Sequence, residues 1–214
     1  MSLSTAPRAH RDDAFLAGKL ARLKEPHVAP LNAYVKQIMD KAHRDVPWFD
    51  PDSAGIHTRA LFLFEAPGPK ATATLGASGT KGSGIISPDN NDGSAANMWT
   101  LLQEADLPRT SVLAWNIVPW YVGTMTKIWP VNDKDLQQAA PYLRGLLDLL
   151  PDLRVVITFG DKPRRGWFRY LITDDAPLLP TLAVPHPSPR SLNPHPDNRE
   201  LILNALQRVA VIIR

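Results

Sequence analysis

The protein has no cysteine among its 214 residues. This absence excludes disulfide bonds, thiolate zinc sites, cysteine nucleophiles and iron–sulfur clusters held by cysteine. Stability must then come from a packed core, for which a hydrophobic content of 44% is sufficient. Any catalysis has to use oxygen and nitrogen groups.

Long hydrophobic runs are also missing. The longest apolar segments, such as LFLF at 61–64 and VVITF at 155–159, are far shorter than the about 20 residues that cross a bilayer. The N-terminal segment has no apolar core of the kind that a secretion signal needs, and it contains Asp12 and Asp13. We therefore expect a soluble, cytoplasmic, monomeric protein without a membrane partner, folded as a single domain over residues 1–214.

Several sequence motifs that are typical of nucleotide-binding proteins, serine hydrolases and metalloenzymes do not occur. There is no GxxxxGK[ST] phosphate loop and no GxSxG serine-hydrolase turn. His186 and His195 are separated by a proline-rich loop and lack the helical spacing that places two imidazoles on one ion. The sequence therefore predicts neither a metal nor a cofactor.

The net charge narrows the range of possible functions only slightly. The net charge is +3 and the sequence pI is about 9.3. This modest basic excess suits a polyanionic partner such as DNA, but many proteins that bind no polyanion share it.

The order of apolar segments predicts an α/β fold. A helical preface fills residues 1–50, with Leu20 on its apolar face, and four short apolar runs follow as strands at 61–64, 111–120, 154–161 and 178–189. Residues 70–91 are interpreted as a long surface loop, and 198–212 as a closing helix with Leu201 inward. Strands that alternate with helices indicate a four-stranded parallel sheet covered on both faces.

Polar residues follow each predicted strand. They are Glu65, Asn116, a basic cluster of Lys162, Arg164 and Arg165, and His186. Ligands of such sheets bind beyond the carboxyl ends of the strands, so these residues are candidates for one site. Taken singly, a helix cap explains Glu65 as well, and a solvated face explains the basic cluster. Asn116 is harder to explain in that way, because burying an amide without partners costs about 1–3 kcal/mol.

Three motifs in order resemble the uracil-DNA glycosylase superfamily. FEAPGP at 64–69 is similar to the Gly-Glu-Ala-Pro-Gly motif of branches that usually carry an iron–sulfur cluster. WNIVPW at 115–120 is similar to the strand whose asparagine reads the base, and HPSPRS at 186–191 to the His-Pro-Ser-Pro-Leu-Ser minor-groove loop. The resemblance implies a three-layer α/β/α fold and removal of uracil from single- or double-stranded DNA by base flipping, without metal or cofactor.

The resemblance also implies roles for residues. Asn116 would pair with the uracil edge, His186 would donate to O2 of the leaving base, and Glu65 would hold the attacking water or offset the sugar cation. Arg190 stands where the family often has an apolar wedge. The remaining residues implied in binding are Ala66 and Pro67 for uracil, and Gly68, Pro69, Ser188 and Ser191, together with the basic cluster of Lys162, Arg164 and Arg165, for DNA.

Departures from the family pattern leave alternatives open. The absence of cysteine excludes the iron–sulfur cluster, and Ala66 stands where other branches keep a water-activating Asp or Asn. Residues 70–91 contain no aromatic residue to stack on the flipped base, so Trp99, Trp120, Tyr121 or an arginine plane would have to substitute. The alternatives are a glycosylase for another deaminated base and a binder of damaged DNA without turnover.

Overall fold

A computed structural model describes residues 3–73, 81–124, 127–173 and 178–214. The strands, in chain order, are β1 (Trp48–Phe49), β2 (Ala60–Phe64), β3 (Ile85–Ile86), β4 (Val112–Asn116), β5 (Val155–Phe159) and β6 (Thr181–Val184). The helices are α1 (Asp13–Leu20), α2 (Ala29–Ala42), α3 (Gly93–Glu104), α4 (Asp133–Leu147), α5 (Asp161–Thr173), α6 (Pro189–Leu192) and α7 (Asp197–Ile212).

Four strands form one parallel sheet in the order β4-β2-β5-β6. The register pairs Ala60 with Val112 and Phe64 with Asn116, so β2 and β4 begin and end together. Phe159 pairs with Val184 at the end of the other half of the sheet. All four carboxyl ends therefore lie at one edge, as the sequence predicts.

Two apolar clusters cover the two faces of the sheet. Leu61 and Leu63 of β2 pack with α2, α4 and α5, and Ala60 and Phe62 pack with α3 and α7. This alternation follows from the two-residue period of a strand whose faces are both buried. The three-layer α/β/α arrangement predicted from the sequence is confirmed.

Side chains at the helix starts explain where three helices begin. The carboxylate of Asp12 accepts from the backbone of α1, and that of Asp92 accepts from Ala95 at 2.9 Å in α3. Asn132 and Asp135 form a reciprocal capping box at the start of α4. That helix continues through Pro141, where the sequence indicated a kink or a break.

Residues 70–91 differ from the predicted surface loop where the structure describes them. Ile85–Ile86 forms a short strand parallel to Trp48–Phe49, and Ser83, Ile85 and Asn90 are buried. Parallel pairing with β1 places this segment against the end of the helical preface, and that contact buries its side chains. Residues 74–80 of the predicted loop lie outside the described residues.

Two predicted inward-facing leucines are exposed. Leu201 is 54% exposed and its neighbour Ile202 is buried, so the apolar face of α7 begins at Ile202 and continues through Ala205, Leu206 and Val209. In α1, Leu20 is 40% exposed and Lys19 is fully buried. The inward position of α1 is therefore occupied by a charge.

An ion cluster holds that lysine. The Nζ atom of Lys19 lies 2.8 Å from Asp50, 3.1 Å from Asp52 and 2.6 Å from Asp89. Arg109 bridges Asp50 and Asp89 at 2.7 and 2.9 Å, and Arg22 contacts Asp52. We call these six residues the ion cluster; three cations balance three carboxylates, which is the condition for burying charge at tolerable cost.

The ion cluster also fixes the ionisation of its carboxylates. Burial opposes the ionisation of Asp50, but the charges of Lys19 and Arg109 outweigh this effect and hold the pKa of Asp50 below its usual range. Burial likewise opposes ionisation of Asp89, and the hydrogen bond and charge of Arg109 lower its pKa. The cluster therefore stays charged, and it fastens the helical preface to the core.

Within the described residues, no helix is both long enough and apolar enough to cross a membrane.

Replacing Lys19 by Met should reduce the free energy of unfolding by about 3–5 kcal/mol, because it leaves three buried carboxylates with too few cations. Urea unfolding followed by circular dichroism measures this loss. The matched control is Lys36→Met, since the Lys36–Asp40 pair is exposed and worth about 1 kcal/mol or less. Equal small effects of the two substitutions would show that the ion cluster does not stabilise the fold.

Candidate active site

A cavity of about 360 Å³ lies at the carboxyl edge of the sheet. The loop after β2, the end of β4, the segment around β3, the start of α3 and the loop after β6 all contribute to its walls. Its lining includes Ala66, Pro67, Gly68, Pro69, Asn116 and His186. The structure thus brings together six of the residues that the sequence predicts.

Asn116 is the last residue of β4 and is 5% exposed. Its backbone pairs with Phe64, while its side chain faces the cavity. Within the described part of the chain, the amide of this side chain makes no hydrogen bond. A largely buried amide without protein partners is poised to bind a ligand, because binding satisfies groups that are already withdrawn from water.

His186 follows β6 and also lines the cavity. Its Nδ1 atom accepts a hydrogen bond from the backbone N–H of Ser188 at 3.1 Å. Since a backbone N–H can only donate, the hydrogen of the neutral ring lies on Nε2. Burial lowers the pKa of His186 to about 4, so the ring is neutral at neutral pH and offers an Nε2–H donor.

Close contacts fix the loop that carries His186. Asn97 of α3 donates to the carbonyl of Pro187 at 2.7 Å. A Cβ atom on Gly93 would lie 2.5 Å from Pro189, so only glycine allows α3 to approach the loop this closely. On the other side, Gly160 has a φ of 97°, in the region that favours glycine, and lies beneath His186.

Glu65 is placed differently from its neighbours in the loop after β2. Its Oε1 atom accepts from the backbone N–H of Val131 at 3.3 Å. The cavity lining runs from Phe64 to Ala66 and does not include the Glu65 side chain among the described residues. In this conformation the carboxylate is beside the cavity and bound to the segment that precedes α4.

Phe64 is the aromatic residue that the sequence analysis missed. Its ring lines the cavity and stacks on Phe159 with 4.6 Å between the ring centroids. The ring of His186 meets it edge-on. Trp99 instead donates to Ser4, and Trp120 packs against Tyr142. Phe64 belongs to a buried strand, and no sequence signal distinguishes a core ring from one that reaches a cavity.

Two carboxylates in the lining were also missed. Asp50 belongs to the ion cluster, so its oxygens are already bound to cations. Asp92 uses one oxygen to cap α3, which leaves its second oxygen available to a ligand or water. The sequence offers Asp92 or Ser94 as the cap of α3; the exposure of Asp92 to a cavity depends on the packing of α3 beside β2.

The sequence model of the uracil DNA glycosylase superfamily matches residues 51–210. The chain belongs to this superfamily. The likeness of the three motifs is thereby confirmed, and DNA is the partner on which members of the superfamily act. The helical preface lies outside the matched region.

Two solved structures are similar to this chain. The crystal structure of wild-type SMUG2 from Pedobacter heparinus is 12% identical, with coverage of 72% of this chain and 76% of that chain and a TM-score of 0.49. The solution NMR structure of a candidate uracil DNA glycosylase from Methanosarcina acetivorans is 14% identical, with coverage of 72% and 92% and a TM-score of 0.43. No curated protein matches the sequence.

The basic residues that the sequence predicts to contact DNA lie in the first turns of α5, which follows the carboxyl end of β5. Lys162 is partly exposed in the first turn of α5, where Arg164 contacts Asp161 at 2.6 Å and Arg165 contacts Asp133 at 2.8 Å. Exposed ion pairs of this kind are worth about 0–1 kcal/mol, so exchanging a carboxylate for a phosphate costs little.

The remaining predicted DNA contacts lie in the HPSPRS loop. Arg190 is exposed on α6, and Ser188 is partly exposed beside His186. Ser191 accepts from the side chain of Asn198, which ties α6 to α7. The described residues contain no group of three or more His, Cys, Asp or Glu side chains arranged to hold a metal ion.

His186 should remain neutral from pH 8 down to about pH 5 and gain a proton only near pH 4. An ordinary histidine titrates near pH 6.5, so burial makes the difference. The ¹⁵N chemical shifts of the imidazole, assigned with a His186→Gln variant, report the titration and the Nε2–H tautomer. A midpoint for His186 near the ordinary value of about 6.5 contradicts the assignment.

Proposed function

We propose that the protein is a uracil-DNA glycosylase that hydrolyses the N-glycosidic bond of deoxyuridine and leaves an abasic site. One observation carries the proposal: the unpaired amide of Asn116 and the Nε2–H donor of His186 face the same cavity. The amide can accept from N3–H and donate to O4 of a flipped uracil, and the Nε2–H group can donate to O2. Superfamily membership supports the reaction class.

Asn116 reads the base in this proposal. Its amide oxygen accepts from N3–H of uracil, and its NH₂ group donates to O4. Cytosine presents the opposite donor and acceptor at these positions, so it leaves both groups of Asn116 unsatisfied. Ala66 and Pro67 form the adjacent wall of the cavity, and Phe64 is the ring available for contact with the base.

His186 stabilises the leaving group. When the bond between C1′ and N1 breaks, its electron pair stays with the base and negative charge builds on O2. The Nε2–H group donates to this oxygen, and the withdrawal of the site from water strengthens that interaction. A hydroxyl from water adds to C1′, and the remaining proton of that water is released.

Two carboxylates divide the remaining work. Glu65 lies beside the cavity, where its negative charge offsets the positive charge that develops on the sugar. Asp92 lines the cavity with one oxygen free of its capping bond, so it can orient the water and accept its proton. Asp92 thus activates the water in place of the Asp or Asn that other branches keep at the position of Ala66.

DNA binding surrounds the cavity. Gly68 and Pro69 line its mouth, and Ser188 with its neighbours in the HPSPRS loop faces the phosphates; Arg190 fills the gap left by the flipped base. Lys162, Arg164 and Arg165 add positive charge, and Ser191 supports the loop. We propose that residues 1–214 act as one domain and as a monomer on single- or double-stranded DNA that contains uracil.

A second substrate class follows from the size of the cavity. Its volume of about 360 Å³ extends past Asn116 and His186 to Ser87 and Asn90. Cavities of about 300–1,000 Å³ commonly hold ligands larger than one pyrimidine ring. A larger deaminated base such as hypoxanthine is therefore the alternative substrate.

Purified protein should create alkali-labile sites in end-labelled oligonucleotides that carry one uracil. His186→Ala should slow single-turnover excision about 10²- to 10³-fold, the usual effect of removing one donor to a developing oxyanion. Asn116→Ala should slow it about 10- to 100-fold, because two hydrogen bonds to the base are lost. DNA affinity should stay within about twofold for both variants.

Parallel substrates with hypoxanthine, xanthine or a thymine mismatch distinguish the alternatives. If only the strands that carry hypoxanthine are cleaved, hypoxanthine and not uracil is the substrate. Tight binding to all strands without any alkali-labile product would show a damaged-DNA binder and refute the glycosylase proposal.

Asp92→Asn should slow excision about 10²-fold or more, whereas Glu65→Gln should slow it about tenfold. Asparagine caps a helix about as well as aspartate, so the substitution removes the base function and keeps α3 intact. Single-turnover rates on the uracil strand measure both effects. A larger loss for Glu65→Gln than for Asp92→Asn would return the water-activating role to Glu65.

A further inference from the structure

Between β4 and α4, the described residues 121–124 and 127–129 are joined by an antiparallel bridge between Gly123 and Ile128, and we call these two stretches the hairpin. The backbone N–H of Trp129 donates to Val122 at 3.1 Å, and that of Thr124 donates to Lys127 at 2.7 Å. The hydroxyl of Tyr121 donates to the carbonyl of Thr124 at 3.1 Å. These bonds hold Lys127–Trp129 in a defined position.

The described end of this hairpin exposes two large apolar side chains. Trp129 is 50% exposed and Ile128 is 57% exposed, and Lys127, which precedes them, is exposed as well. In contrast, Trp115 and Trp167 are almost completely buried. Trp129 thus presents half of its indole to solvent beside Ile128, with an exposed lysine two residues away, and this surface is available to a ligand.

Two contacts place the hairpin at the carboxyl edge of the sheet. Directly after it, the backbone N–H of Val131 donates to Glu65, in the loop that forms the cavity wall. Asp133, at the start of α4, accepts from Arg165 in the basic cluster of α5. Trp129 therefore stands two residues before a contact with the loop after β2 and four residues before a contact with the basic cluster of α5.

We infer that Trp129 stacks on an unpaired base of the DNA strand next to the excised nucleotide, with Lys127 contacting the adjoining phosphate. An aromatic plane beside a cation is the arrangement with which proteins hold single strands, since every base offers a face and every nucleotide a charge. The position of Trp129 outside the cavity assigns it to a flanking nucleotide. This inference rests on DNA as the ligand and deepens the proposed function.

The stacking predicts a strand preference. A flanking base in a duplex is already stacked between its neighbours, so Trp129 gains little contact there. In a single strand, or where the duplex has opened, the same base is free to stack on the indole. Trp129 therefore contributes more to the binding of single strands than of duplexes.

The test measures the affinity for a labelled, uracil-free single strand and its duplex by fluorescence anisotropy. Trp129→Ala should weaken single-strand binding about tenfold or more, as the loss of one stacked base does, and duplex binding less than threefold. Trp129→Phe should restore most of the affinity, because it keeps an aromatic plane. Lys127→Ala should reduce the salt dependence of binding, whereas Trp129→Ala should leave it unchanged.

The control is Val211→Ala. Val211 is 68% exposed near the end of α7, and Arg59, which directly precedes β2, donates to the carbonyl of Ile213 there. The control therefore removes an exposed apolar side chain at the opposite edge of the sheet and should leave DNA binding unchanged.

Unchanged single-strand affinity of Trp129→Ala overturns the inference, as does equal weakening on single strand and duplex. A dimer of the wild type that becomes a monomer in Trp129→Ala, seen by analytical ultracentrifugation, assigns the surface to a second copy of the chain and also overturns it. Because these strands lack uracil, the result does not depend on excision. A protein without glycosylase activity can support the inference, and an active one can refute it.

Discussion

The common carboxyl edge of four parallel strands is the constraint on which the site depends. Phe64 pairs with Asn116 at the ends of β2 and β4, and Phe159 pairs with Val184, two residues before His186. Glu65 and His186 are 121 positions apart in the sequence. The residues of the site meet only because the register of these strands is fixed. A shift of one residue in β4 would turn Asn116 to the other face of the sheet and remove its amide from the cavity.

The ion cluster extends this constraint to the far wall of the cavity. Asp50 and Asp89 belong to the two chain segments that contain β1 and β3, and Lys19 and Arg109 join them to α1 and to the entry of β4. The superfamily match begins at residue 51, so part of this wall comes from outside the matched region. Asp50, the last residue of the preface, thus contributes to the cavity wall, and the ion cluster ties α1 to it.

The sequence predicts the fold and much of the candidate site because their signals are local. Apolar runs ending in proline or polar residues indicate buried strands, and they place Asn116 and His186 at strand ends. Lys19 could not be predicted, since its burial depends on three carboxylates far along the chain. The cavity positions of Phe64 and Asp92 likewise depend on which neighbours pack beside them, and the orientation of Glu65 depends on a backbone N–H 66 residues away.

The distribution of charge explains why a neutral histidine suits the proposed chemistry. The carboxylates of Asp50 and Asp89 near the cavity are neutralised within the ion cluster, so the cavity does not present them as free negative charges to a departing base. Protonation of His186 at Nδ1 would break the hydrogen bond from Ser188 that orients the ring. The neutral ring instead offers a fixed dipole whose interaction strengthens as charge develops on the base, which is the condition for stabilising the transition state more than the ground state.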